Sequence, residues 1–109
     1  MAYDEQLAER VRDIIAGRDG VSERRMFGGI VFLIHGNMAC GVSREDLIVR
    51  LGEEDAERAL AAPHVRVFDR TGRPMRNWIL VSPEGTREAS DLAGWVEAGA
   101  DHAASLPPK

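Results

Sequence analysis

Arginine side chains beside a glycine pair are the residues of this sequence best suited to chemistry. Arg24 and Arg25 lie just before Gly28 and Gly29, and Arg50 follows an apolar segment further along the chain. A guanidinium group donates paired hydrogen bonds to a carboxylate or a phosphate. The sequence therefore predicts an interaction or anion-binding site formed by Arg24, Arg25, Phe27, Gly28, Gly29 and Arg50.

Two interpretations of the arginines are open at the level of the sequence. In the first, they gather at one end of a sheet and bind an acidic protein segment, a small anionic ligand or a nucleotide. In the second, they form ordinary surface and ion pairs with the nearby acidic side chains Glu23, Glu45, Asp46 and Asp69. The glycine pair precedes a strand and matches neither GxGxxG nor a P-loop, so it predicts backbone geometry, either a β-bulge or a close approach.

Histidine and cysteine spacing argues against a metal centre and against a nucleophilic site. His35, His64 and His102 are far apart in the sequence, and Cys40 has no CxxC partner. Cys40 lies within an apolar strand pattern, which predicts a packed core thiol. We therefore expect no catalytic residues, no metal and no cofactor, and hence no enzyme.

Charge and composition restrict the class of protein further. The chain has 109 residues, which predicts a single domain over 1–109, and a formal net charge of -4. A DNA-binding protein usually carries a basic excess, so we expect no direct contact with nucleic acid. One cysteine, an acidic start without a basic n-region, and a longest apolar run of only residues 30–34 predict a cytoplasmic protein without a signal peptide or membrane contact.

Hydrophobic periodicity predicts an α+β fold, a two-layer α/β sandwich with a single antiparallel sheet in the order α-β-β-β-α-β-β-α. The first helix is expected over 4–16 and is followed by an extended lead-in over 21–27. Strands are expected over 30–35, 38–42, 47–51, 65–68 and 77–82, with a hairpin turn at Gly36-Asn37. A short helix opens at 52–55, and Thr86 is expected to cap the last helix, which fades near Ser105.

The central strands are apolar on both faces, whereas helices are expected to cover only one face of the sheet. The other face then needs a partner, which predicts a homodimer. On the strand pattern, the candidate dimer face consists of Val31, Leu33, Ile79 and Val81. For the strand 38–42, alternation predicts Met38, Cys40 and Val42 on one face and Ala39 and Gly41 on the other.

Several segments together resemble the N-terminal domain of the TfoX/Sxy family. They are Met26-Phe27-Gly28-Gly29, Gly36-Asn37-Met38, Leu47-Ile48-Val49-Arg50-Leu51, Pro74-Met75, the strand from Trp78 to Val81, Pro83, and the closing helix with Leu92 and Trp95. The best-known members of that family are cytoplasmic bacterial regulators of competence, which promote expression of DNA-uptake genes with a cyclic-AMP receptor protein.

The resemblance implies a fold like that of type III secretion chaperones, which are typically dimers, and no catalytic residues. It predicts a non-enzymatic regulatory or protein-interaction domain with a possible regulatory protein partner. Those regulators carry a second, helical C-terminal domain, and this sequence predicts a stand-alone N-terminal domain without it. The alternative is a domain that binds a small anionic ligand or a nucleotide through Arg24, Arg25 and Arg50.

Overall fold

The computed structural model describes residues 3–26, 28–69 and 74–109, and for 74–76 the backbone only. Its helices are α1 (Glu5–Ile15), α2 (Glu53–Ala59) and α3 (Ala89–Ser105), with a 3₁₀ turn at Pro83–Gly85. Its strands are β1 (Val21–Met26), β2 (Gly29–Ile34), β3 (Asn37–Ser43), β4 (Asp46–Arg50), β5 (Val65–Asp69) and β6 (Pro74–Val81).

All six strands form one antiparallel sheet in the order β1-β2-β3-β4-β6-β5. The helices pack on one side of this sheet, with α3 against β3 and β4 and α1 against α3. The predicted α+β fold and the order of its elements are therefore confirmed. The segment predicted as an extended lead-in is in fact a regular strand, β1, paired with β2 along its whole length.

Helix α1 forms where the sequence predicts it, because its start is capped. The Asp4 carboxylate accepts hydrogen bonds from the backbone N–H groups of Gln6 and Leu7 at 2.9 and 3.1 Å. Leu7, Val11 and Ile15 then bury one stripe of the helix against the sheet. A charged outer face remains in solvent, as expected for a helix laid on a sheet.

Two apolar clusters lie on opposite faces of the sheet. The larger one, beneath the helices, is centred on side chains such as Phe32, Leu47, Val49 and Val96. The smaller one, on the face without helices, contains Val31, Leu33, Met38, Ile48 and Phe68, with Trp78 and Leu80 packed against it. The sheet is therefore apolar on both faces, as the strand pattern predicts.

Three local predictions are wrong, each for a physical reason. The β2–β3 turn is His35-Gly36, one residue earlier than predicted, because Ile34 pairs with Asn37; both turn residues have positive φ, at 51° and 85°. Thr86 does not cap α3, since it is buried and its hydroxyl donates to the carbonyl of Pro83 at 3.3 Å.

The third difference concerns the faces of β3. The pairing of β2 with β3 shifts between Phe32 and Leu33, so that Ala39 is an extra residue in its strand. Met38 consequently joins the face without helices, whereas Ala39 and Cys40 both lie beneath the helices. Strict alternation fails here because a bulge reverses the face of every residue before it.

The glycine pair serves backbone geometry at both positions. Gly28 has φ 70° in the β1–β2 turn, and a Cβ at Gly29 would overlap the carbonyl oxygen of Val42 in the neighbouring strand. We expect Gly29→Ala to lower the free energy of unfolding by about 1–3 kcal/mol, since backbone atoms must separate to make room. The change is measured by urea unfolding.

Two other glycine variants are the controls for this prediction. Gly28→Asn keeps a residue that tolerates positive φ, and Gly17→Ala adds a Cβ with no atom within 4 Å. Both are expected to change the free energy of unfolding by less than about 1 kcal/mol. Equal losses from Gly29→Ala and Gly17→Ala would contradict the close approach at Gly29.

Candidate functional site

The arginines of the predicted site do not meet. Arg24 pairs with Val31 and lies on the sheet face without helices, whereas Arg25 pairs with Ile30 and lies on the helix-covered face. Arg50 is on β4, three strands from β1 in the sheet, which is a lateral separation of about 14 Å. The three guanidinium groups thus form no common anion site. Phe27, the remaining side chain of the predicted site, lies outside the described residues.

Arg50 has a packing role instead. Its guanidinium lies over the ring of Trp78, 5.7 Å from the ring centroid, and Trp78 in turn lies 5.9 Å from the ring of Phe68. The buried Nε of Arg50 has no hydrogen-bond partner within the part of the chain that the structure describes. The stacked guanidinium covers the apolar cluster on this face.

His102 on α3 lies close to the same charge. Partial burial and the positive charge of Arg50 lower the pKa of His102, while Asp55 opposes the shift. Below the usual histidine pKa of about 6.5, the unfolded chain therefore binds more protons than the folded chain. The stability that neutral His102 contributes is fully present above a pH of about 6.5. It is lost as the pH falls from there through the lowered pKa of His102 in the folded protein.

We expect the melting temperature of the protein to fall between pH 7.5 and pH 5.5, and the fall to be smaller in His102→Gln. Glutamine keeps the size of the side chain but does not titrate, so the difference between the two falls isolates His102. Thermal unfolding followed by circular dichroism measures both. An identical fall in the two proteins would assign the pH dependence to other groups.

The predicted dimer face is wrong as a set. Val31 and Leu33 lie on the face without helices, but Ile79 and Val81 lie beneath the helices in the larger cluster. All four side chains are buried within the monomer, at 5% exposure or less. The physical reason is the register of β6 against β4. It sets Ile79 and Val81 opposite Val49 and Leu47, beneath the helices, and turns Trp78 to the face that bears Val31 and Leu33.

Strand β1 is the surface feature that sequence reasoning missed. It is an edge strand, and all its residues from Ser22 to Met26 are exposed. Its residues from Ser22 to Arg25 are polar on both faces, so the strand lacks the apolar pattern by which buried strands are recognised. An edge strand presents unpaired backbone N–H and C=O groups to which another chain can add as a further strand.

Two contacts hold the side chains of this edge on its helix-covered face. Arg12 donates to both carboxylate oxygens of Glu23, at 2.6 and 2.9 Å, and this bridge lowers the pKa of Glu23. The guanidinium of Arg25 lies 5.9 Å from the ring centroid of Tyr3. Arg24 projects on the opposite face. The edge therefore presents charges of both signs in a fixed order.

The remaining polar features offer little for catalysis. Burial raises the pKa of the Cys40 thiol to about 12, which keeps it protonated and unreactive. No group of three or more potential metal ligands occurs among the described residues. An open cleft of about 720 Å³ lies between the β3–β4 turn and Pro83, but Asp46 and Ser82 already bind its Arg66, at 2.9 and 2.7 Å.

An antiparallel six-stranded sheet backed by helices on one face, with Gly28 in the turn between its first two strands and Gly29 opening the second, defines a small α+β fold. The sequence pattern described as the TfoX N-terminal domain matches residues 13–103. The match covers most of the chain, and the protein belongs to the TfoX N-terminal domain family. It is thus a competence-regulator-like domain at the level of the family.

No curated protein matches this chain. None of the helices in the described ranges is long and apolar enough to span a bilayer.

Proposed function

We propose that this protein is a non-enzymatic regulatory module of the cytoplasm that acts by binding another protein chain through the edge of β1. The observation that carries the proposal is the exposure of residues 22–26 on a sheet edge where β1 pairs with β2 alone among the strands that the structure describes. Backbone groups supply affinity in such strand addition, and the side chains of both faces supply specificity. Family membership supports a role in regulating gene expression, including DNA-uptake genes.

A variant that blocks the edge without breaking the fold tests this function. Met26 and Gly29 close a tight hairpin and exchange both backbone hydrogen bonds, so alternation turns the N–H of Arg25 away from β2. Arg25→Pro then removes an outward donor and places a ring on the edge, while the β1–β2 ladder is kept. Arg25→Ala is the matched control, because it removes the charge but keeps the N–H.

The readout is the transcript profile of cells that lack the chromosomal gene and carry one of the three versions on a plasmid. We expect the wild-type chain to change transcript levels relative to the deletion strain, and Arg25→Ala to retain at least part of that change. Arg25→Pro is expected to lose it at an equal protein level. A wild-type chain that alters no transcript, or an Arg25→Pro chain that acts like wild type, would contradict the proposal.

A further inference from the structure

We propose that β1 pairs antiparallel with β1 of a second copy, so that two six-stranded sheets join about a two-fold axis at Arg24. This inference rests on the proposed function, since it names the chain that the β1 edge binds. Three features of the edge favour this pairing: the backbone groups that face outward, the side chains that share a face, and the order of the charges.

The backbone groups of alternate residues of β1 point away from β2. Because Met26 and Gly29 form the closing hydrogen-bonded pair of the β1–β2 hairpin, Arg24 and Ser22 also bond to β2. The backbone N–H and C=O groups of Val21, Glu23 and Arg25 therefore point away from the sheet. A second strand must form its hydrogen-bonded pairs with these three residues.

The two faces of the sheet restrict the register in which the two β1 strands can pair. In a continuous sheet, a two-fold axis that relates neighbouring antiparallel strands runs perpendicular to the sheet, so the helices of both copies lie on the same side. Directly opposed residues must then come from the same face. Val21, Glu23 and Arg25 share the helix-covered face, and Ser22, Arg24 and Met26 share the other. Registers centred on Glu23 or on Arg24 satisfy this rule and keep most of the strand paired.

Charge order selects between the two registers. Centred on Glu23, the pairing places Glu23 against the same carboxylate of the partner and Val21 against Arg25 of the partner subunit. Centred on Arg24, it places Glu23 against Arg25 of the partner subunit, and symmetry repeats this attractive pair. Opposite charges across a ladder stabilise a sheet and like charges destabilise it. The register centred on Arg24 has two attractive pairs and one repulsive pair. In the repulsive pair the exposed Arg24 faces Arg24 of the partner subunit.

The contacts within one copy favour the same register. Glu23 is already held by Arg12, and Arg25 lies against Tyr3, so both side chains are restricted before a second copy arrives. A restricted side chain loses less entropy on association. In the dimer, the carboxylate of Glu23 therefore lies between two guanidinium groups. One belongs to Arg12 of the same copy and the other to the partner's Arg25.

A charge exchange tests the register directly. Glu23→Arg and Arg25→Glu each place like charges opposite one another, so each is expected to weaken the dimer about tenfold or more. An equimolar mixture of the two variants restores both attractive pairs and is expected to recover association. Sedimentation equilibrium from about 10 µM to about 1 mM protein measures the dissociation constants of an interface of this small size.

Two more variants keep the test decisive. Arg24→Ser removes the like-charge pair on the axis and is expected to tighten the dimer, an effect that the Glu23-centred register does not produce. Arg12→Gln breaks the internal bridge, as Glu23→Arg also does, and is expected to leave a dimer. If Glu23→Arg fails to fold, Arg24→Ser and Arg25→Glu alone still give opposite shifts.

The inference would be overturned by a wild-type chain that stays monomeric over the whole concentration range. It would also be overturned by a dimer that no β1 variant affects, or by a mixture of Glu23→Arg and Arg25→Glu that does not associate. A monomer whose effect on transcripts is still lost in Arg25→Pro would overturn only this pairing and leave the proposed function standing. A dimer that alters no transcript would contradict the proposed function and leave this pairing standing.

Discussion

Truncating Phe32 to alanine is expected to lower the free energy of unfolding by about 3–5 kcal/mol. Phe32 is fully buried in the middle of β2, beneath the helices, and the guanidinium of Arg12 lies 5.8 Å from its ring centroid. Alanine leaves a cavity that neighbours on β1 and β3 cannot fill, because both strands are fixed by ladder hydrogen bonds. Such a loss is a large part of the 5–15 kcal/mol that holds an ordinary domain together.

Guanidinium-chloride unfolding of three proteins measures the effect. Phe32→Leu keeps most of the buried volume and loses the ring beneath Arg12, so we expect a loss of about 1–2 kcal/mol. Leu60→Ala, at a 37% exposed position on the surface, is expected to cost less than about 1 kcal/mol. A Phe32→Ala loss no larger than that of Leu60→Ala would show that β2 is not the centre of the core.

Two glycines on α3 are expected to respond to alanine in opposite directions. A Cβ at Gly99 would overlap the carbonyl oxygen of Ala39 in β3 and lie 3.1 Å from a methyl group of Val49. At Gly94 a Cβ meets no atom within 4 Å. Gly99→Ala is therefore expected to destabilise the protein by about 1–3 kcal/mol, and Gly94→Ala to stabilise it by about 0.5–1 kcal/mol through helix propensity.

The sign of the difference is the test, since both substitutions add the same methyl group to the same helix. Thermal unfolding followed by circular dichroism gives both values. Two alanines that stabilise equally would mean that α3 does not rest against the bulge of β3 at Ala39. A loss at Gly94 would place a neighbouring element against its open face.

Local patterns predicted the elements that local forces determine. The capping carboxylate of Asp4 and the apolar stripe of α1 are readable from spacing, as are the two faces of β4, where Leu47 and Val49 lie beneath the helices and Ile48 on the other side. The position of Gly99 is readable in the same way, because a glycine on the apolar stripe of a helix permits close contact with a backbone.

Features that depend on the strand order or on an unmarked irregularity were not predictable. Arg24 and Arg50 are separated by the strand order, which local sequence does not encode, and the bulge at Ala39 has no residue type that distinguishes it. The predicted dimer face failed because the register of β6 against β4 decides that Ile79 and Val81 lie beneath the helices, and that register joins strands distant in the sequence. Strand β1 was underestimated because an exposed edge has no apolar face.

Residue-resolved amide exchange by NMR, at low and high protein concentration, tests most directly whether the β1 edge binds another chain. The outward N–H groups of Val21, Glu23 and Arg25 are expected to exchange more slowly as the concentration rises, and Arg25→Pro is expected to abolish that slowing at Val21 and Glu23. Concentration-dependent slowing confined to another surface, with these three amides unchanged, would contradict the assignment of β1 as the interaction edge.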